Sequence, residues 1–241
     1  MLHKTKGIVF KTTAYSESSV IAQIFTEKFG LQSYLINGVR KTGGKFNMNM
    51  FQPLHLLDMV VYHKPTGNIQ RAAELRNFPV FESIPYHIVK SSLVIFLNEV
   101  IYKSIRLHTA DERLFKFLFH SLEALDHLDE GLGNFHLWFM VQMSRYLGFY
   151  PDISHRELPY FDLRDGTYAE HLPVHVHVLE GSLTVLFTQL ATSHLDTISG
   201  IQLTHAQRKD LLDKLLEYYQ LHVDGFINIK SHIVLEEVLR D

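Results

Sequence analysis

Residues 30–63, "GLQSYLINGVRKTGGKFNMNMFQPLHLLDMVVYH", read as a strand, a loose basic connection and a second, longer strand. "GLQSYLIN" is short, part β-branched and opened by Gly30, while "QPLHLLDMVVYH" is nearly continuous apolar sequence. The second pattern is that of a strand buried on both sides or bent within a small barrel. Between them Arg40, Lys41 and Lys45 gather around Gly43 and Gly44, ahead of Phe46, Met48, Met50 and Phe51. Working outward, "KGIVFKTT" and "SSVIAQIFT" make two earlier strands with the polar "AYSES" as their turn, and after "KPTGN" the segment "IQRAAELR" makes a fifth. Alternation in the fifth puts Gln70, Glu74 and Arg76 on one face and Ile69, Ala73 and Leu75 on the other. Five strands in about 75 residues, with the long connection between the third and fourth, is the layout of an OB-type barrel. Closure removes most of the edges that so short a sheet would expose.

The charge divides along the chain. Residues 1–80 carry ten Lys/Arg against four acids (Glu17, Glu27, Asp58, Glu74), a net of +6, while residues 81–241 carry thirteen against 22, a net of −9. That asymmetry points to a polyanion-binding module joined to one with other partners. With 241 residues and 46% hydrophobic content, the chain has material for two cores. It contains no cysteine, which excludes disulfides and thiolate chemistry. "MLHKTKGIVF" lacks the apolar run of a signal peptide, and no stretch of about 18 apolar residues offers a membrane span. The reading is a cytoplasmic protein.

Beyond Pro79 and Pro85 the pattern turns helical. A helical period runs from His87 to Leu107. Thr109 and Glu112 have capping-box spacing ahead of a Leu and Phe stripe from Leu114 to Leu125. Asn134 is placed to cap a third helix that Gly148 and Pro151 close, Ser182 starts a fourth, Thr204 and Gln207 box a fifth, and Ser231 opens a sixth. Residues 150–181 fit neither pattern, and "YFDLRDGTY" reads as a hairpin turning at Asp165-Gly166. The expected fold is therefore α+β and multidomain. Residues 1–80 form a nucleic-acid-binding OB domain, and 81–241 an all-α domain with a small hairpin insertion at 150–181.

The glycine-rich stretch is not a phosphate-binding P-loop, because Phe46 stands where the hydroxyl belongs and Val39 where the first glycine belongs. It suits nucleic acid instead. Arg40, Lys41 and Lys45 can follow a phosphate backbone, with Lys6, Lys11, Lys64 and Arg71 as flanking contacts. Tyr34 or Phe46 offers a face on which a base could stack; the rival reading of Phe46, Met48, Met50 and Phe51 is that they plug the barrel's open end. His155, His171, His175 and His177 raise the question of metal, but proximity in sequence does not make ligands converge. No metal site is expected. No protease, hydrolase or thiol nucleophile signature is present, so neither catalysis nor a cofactor is predicted. The alternative is a protein-interaction scaffold whose basic barrel binds an acidic protein.

These residues resemble the RecO family of bacterial recombination mediators. The resemblance lies in Gly7-Ile8-Val9, the Tyr15-Ser16-Glu17 turn, Phe25-Thr26 before Gly30, the loop Asn37-Gly38-Val39-Arg40, the step Gln52-Pro53-Leu54, and "LGFYPD" at 147–152. It implies an OB fold followed by a helical domain, and a non-catalytic role in recombinational repair of the RecF type. It also implies binding of single- and double-stranded DNA, strand annealing, and engagement of the single-strand-binding protein. RecR would be a partner and RecA an indirect one. The resemblance implies, in many relatives, a four-cysteine zinc module after Leu-Gly-x-x-Pro; this chain has the cysteine-free "ISHRELPYFDLRDGTYAEH" there, with the Asp-Gly hairpin and aromatic packing as the expected replacement. Asn37 stands where the resemblance implies a lysine, so that phosphate contact has no counterpart at this position. For the acidic tail of a single-strand-binding protein the candidates are Arg106, Arg113, Lys116 and Arg145.

Overall fold

The computed structural model describes residues 1–39, 46–105 and 109–240. Its N-terminal part is a closed barrel of β1 (Leu2–Ala14), β2 (Val20–Thr26), β3 (Gly30–Ile36), β4 (Leu56–Tyr62) and β5 (Gln70–Asn77), in the order β1-β2-β3-β5-β4. Six helices follow among the described residues: α1 (Ile88–Ser104), α2 (Glu112–His127), α3 (Leu132–Leu147), α4 (Ser182–Thr192), α5 (His205–His222) and α6 (His232–Val238). A three-stranded antiparallel sheet of β6 (Tyr160–Asp162), β7 (Thr167–Ala169) and β8 (Val178–Glu180), ordered β7-β6-β8, lies between α3 and α4 in the chain. The expected OB barrel followed by a helical region with a hairpin insertion is the fold.

The chain divides into two compact units, Met1–His87 with Leu97–Asp126, and Ile88–Phe96 with His127–Asp241. In the first, β1 is the strand that closes the barrel, pairing with β2 on one side and β4 on the other. Val9, Val20, Ala22, Ile24, Tyr34, Ile36, Leu57, Met59 and Val61 meet in the interior. The barrel's other face is also covered: Phe10 stacks on Phe25, whose ring lies 5.9 Å from Phe115 of α2. The central apolar run of β1, Ile8–Phe10, is thus buried from one side or the other, while Leu2 and Ala14 at its ends are exposed.

Local chemistry explains the family-like residues. Thr26 closes the β2–β3 turn, its hydroxyl donating to Gly30 O at 2.9 Å and accepting from Phe29 N at 3.1 Å. Gly30 itself sits at φ +65°, where a side chain is disfavoured. Asn37 accepts from the Ser19 hydroxyl at 3.1 Å, so its amide links the chain at the ends of β2 and β3. Leu54, fully buried at φ +58°, donates to Val9 O at 2.7 Å beside the register shift in β1 between Val9 and Lys11.

Three expectations need correction. The fourth strand begins at Leu56, because Met48–Phe51 form a short helical turn and Gln52 O accepts from His55 N. The faces of the fifth strand are not those of simple alternation: a register shift opposite Val60 and Val61 falls at Ala73, so Gln70 is buried and Ile69 exposed. The caps of two helices are also different. Asp111, not Thr109, caps α2 through Leu114 N at 2.9 Å. Gly131 occupies the N-cap of α3, and Asn134 instead donates to Ile198 O and Ile201 O from within the helix. The Thr204–Gln207 capping box and the left-handed Gly148 C-cap are as the spacing predicts.

In the second unit the insertion is held by aromatic packing. Phe161 meets Tyr168 at 4.9 Å, Phe187 at 4.6 Å and Tyr218 at 5.9 Å. The Asp162 carboxylate accepts from Arg164 N and Asp165 N, and Gly166 at φ +68° completes the turn. His136 of α3 is buried edge-on to Phe96, and burial, with the charge of Arg208 second, holds its imidazole down at about 3.

Two predictions follow from packing. A Cβ on Gly7 would stand 2.5 Å from Met59 Sδ and 2.6 Å from Ile24 Cγ2. Gly7→Ala should therefore destabilise the protein by about 1–3 kcal/mol, read as a lower urea midpoint. His136 titrates lower when folded than the ~6.5 of an unfolded chain. Its contribution is then complete above that value and is lost as pH falls toward 3. Between pH 7 and 5 it should cost about 2 kcal/mol, a loss that urea titrations of His136→Leu should not show.

Candidate nucleic-acid interface

Arg40, Lys41 and Lys45 lie outside the described residues, so the interface is built from what flanks them. Lys6 and Lys11 stand on β1, on either side of its register shift. Lys6 is half-buried with its ammonium 4.5 Å from the Phe119 ring centroid, and the exposed Lys11 places its own 5.5 Å from that of Tyr102. Both cations therefore rest on aromatic rings of the helices in the same unit, where cation–π attraction orients them. Neither is neutralised by a carboxylate in that contact. Lys6, Asp58 and Arg76 stand side by side on β1, β4 and β5, and the Arg76 guanidinium holds Asp58 through Nε at 3.0 Å and Nη2 at 2.6 Å.

Lys64 and Arg71 are exposed and belong to the β4–β5 hairpin. Gln70 shapes that hairpin: its amide accepts from Lys64 N at 2.9 Å and donates to Lys64 O at 2.9 Å and Gly67 O at 2.7 Å. Three bonds from one buried side chain pin the turn that carries Lys64. The structure thus brings Lys64 and Arg71 together on one hairpin and places Lys6 and Lys11 elsewhere on the barrel, beside helices α1 and α2.

The two proposed stacking residues do not present a face. Tyr34 is wholly buried, pointing into the barrel with Ile36 and Ile24, and burial pushes its hydroxyl up. Phe46 is 9% exposed and packs with Val39 and Phe51 in the same core, so it plugs the barrel. Alternation along β3 could not distinguish inside from outside for a tyrosine that suits both.

An aromatic group that sequence reasoning passed over lies nearby. The His63 ring stacks on Phe29 at 4.0 Å and 13°, and His3 meets Phe29 edge-on at 5.3 Å. Burial, then the charges of His3 and of the amino terminus, lowers the His63 pKa and favours the neutral ring. No periodicity in the sequence joins these rings, since Phe29 lies in the β2–β3 turn and His63 follows β4. Phe29 and His63 wall a cleft of about 600 Å³ that also takes in Gln32, Ser33 and Asn68. Parallel pairing of β3 with β5 covers only Tyr34 and Leu35, which leaves room for it beside the first half of β3.

Of the residues considered for a partner's acidic tail, Arg106 is outside the described residues. Arg113 is exposed on α2, Lys116 pairs with Glu112 at 2.5 Å, and Arg145 lies over the Tyr150 ring at 4.0 Å. Among the histidines, His175 bonds Asp162 at 3.0 Å and His177 bonds Glu217 at 2.5 Å, each committed to a different carboxylate. His155 pairs with Glu157, and His171 is exposed. Among the described residues no group of three or more His, Asp or Glu could hold a metal ion, and no helix is long and apolar enough to cross a membrane.

A closed five-stranded barrel with surplus surface cations, joined to a helical unit, defines the class: an OB-fold protein of DNA metabolism. The family described as "Recombination protein O N terminal" matches residues 1–77, and "Recombination protein O C terminal" matches 85–231. Similar relatives are the DNA repair protein RecO of Flavobacterium psychrophilum, 37% identical over 98% of both chains, and that of Christiangramia forsetii, 34% identical over 99% of both. A third is that of Azobacteroides pseudotrichonymphae, 32% identical over 99% of both. The chain belongs to the RecO family, and its role lies in DNA repair and recombination.

The hairpin pair should matter more to polyanion binding than the β1 pair, whose ammonium groups rest on rings. Lys64→Ala with Arg71→Ala should reduce the salt slope of DNA binding by about two effective charges, and Lys6→Ala with Lys11→Ala by less. Fluorescence anisotropy at a series of salt concentrations measures both.

Proposed function

We propose that the protein is a non-catalytic, cytoplasmic DNA-binding mediator of recombinational repair in a RecF-type pathway. It binds single- and double-stranded DNA through the barrel, promotes annealing, and helps load recombinase onto strands coated by the single-strand-binding protein. RecR is its direct partner and RecA an indirect one. The observation that carries this reading is the coincidence of the cationic surplus with the closed barrel. Arg40, Lys41 and Lys45 lie between β3 and β4 in sequence, and Lys64 and Arg71 on the β4–β5 hairpin. Annealing asks only that two polyanions be neutralised while their bases stay accessible, which needs no general acid, base, metal or cofactor.

Replacing Arg40, Lys41 and Lys45 together by alanine should weaken binding to all DNA sequences alike. It should also flatten the salt dependence by about three effective charges. Unchanged affinity and slope would move the DNA site away from this loop. If labelled single strands fail to bind the wild-type chain at near-physiological salt, the barrel's partner is instead an acidic protein.

A further inference from the structure

The cleft beside β3 is not accounted for by phosphate binding, because its lining offers no cation. Its ring surface is the Phe29–His63 stack, and its polar groups are neutral: the Gln32 and Asn68 amides and the Ser33 hydroxyl. No carboxylate lines it among the described residues. A volume of about 600 Å³ falls within the range of small-molecule pockets and exceeds what one base requires. The floor is preorganised at two points. The Gln32 amide is oriented by its bond to Phe29 O at 2.7 Å, and Gln70 pins the turn leading to Asn68 through Lys64 and Gly67.

We propose that this cleft is a subsite for one unstacked nucleobase of a single strand. The proposal rests on the DNA-binding reading above and adds to it a means of telling single strands from duplex. Every base has a π-face for a ring wall and a donor and acceptor edge for amides and a hydroxyl. In a duplex the faces are covered by neighbouring bases and the Watson–Crick edge is taken up by pairing. The exposed cations next to the lining residues in sequence, Lys28 before Phe29 and Lys64 after His63, are where the phosphates on either side of the held nucleotide would sit. Acidic peptides are a poorer fit, since the cleft itself carries no positive side chain. The assignment also restores a stacking role that Tyr34 and Phe46, both in the core, do not fill.

The test uses the full chain and three labelled oligonucleotides of equal charge: a mixed-sequence single strand containing one 2-aminopurine, a base-free strand, and a hairpin duplex. Wild-type protein should bind the base-free strand about tenfold more weakly than the normal one, and should quench 2-aminopurine. His63→Ala, and separately Asn68→Ala on the exposed turn, should abolish that preference and the quenching. Duplex affinity and salt slope should stay as in wild type. Thermal midpoints confirm that both variants fold, and the base-free strand tests the idea on the unaltered protein. Equal wild-type affinity for normal and base-free strands, with a normal salt slope, overturns the subsite alone. Full base preference in both variants does the same. No binding to any of the three overturns the subsite together with the reading beneath it.

Discussion

The barrel depends on the closure made by β1, a thirteen-residue strand that pairs with β2 along its second half and with β4 along its first. To serve both neighbours it must turn within its own length, and the register shift between Val9 and Lys11 is where it does so. Leu54 and His55 supply backbone partners for Val9 at that bend, and Gly7 leaves space for Met59 and Ile24 to meet across the interior. With so small an enclosed volume, Tyr34 and Phe46 are absorbed into the core. Phe29 and His63 keep partial exposure instead, and both line the cleft.

The same closure sorts the cations by what remains open to them. Strand β1 is covered on its outer side by aromatic residues, so Lys6 and Lys11 lay their ammonium groups over Phe119 and Tyr102. The β4–β5 hairpin projects from the end of the sheet, so Lys64 and Arg71 remain in solvent. Arg76 is held by Asp58, and a surface pair of this sort adds little stability while fixing one charge in place. A uniform count of positive residues thus becomes an uneven surface. The hairpin keeps Lys64 and Arg71 in solvent, and the cleft beside β3 has a neutral lining.

The second unit solves a different problem, that of holding a small three-stranded sheet in place without cysteine. Three strands of three residues each cannot stand alone. Here Phe161 is clasped by Phe187 of α4 and Tyr218 of α5, and Asp162 satisfies the backbone of its own turn while accepting from His175. Of the histidines that invite a metal reading, His175 and His177 are bonded to different carboxylates, so their position reflects the packing of this insertion.

Much of this was legible in one dimension. Period-two and period-3.6 patterning, the turn residues Gly30 and Gly166, and the Thr204–Gln207 box locate the elements because each is decided by neighbours within a few residues. The face reversal at Ala73 and the burial of Tyr34 were not, because each depends on a partner elsewhere in the chain, while the cap of α2 is a local choice between Thr109 and Asp111 that spacing alone does not settle. The charge asymmetry and the order of the strands follow from the sequence by itself, as does membership of a class. Which cations stay in solvent, and that His63 meets Phe29 across 33 intervening positions, only the tertiary structure decided, since barrel closure sets distances that sequence separation does not encode.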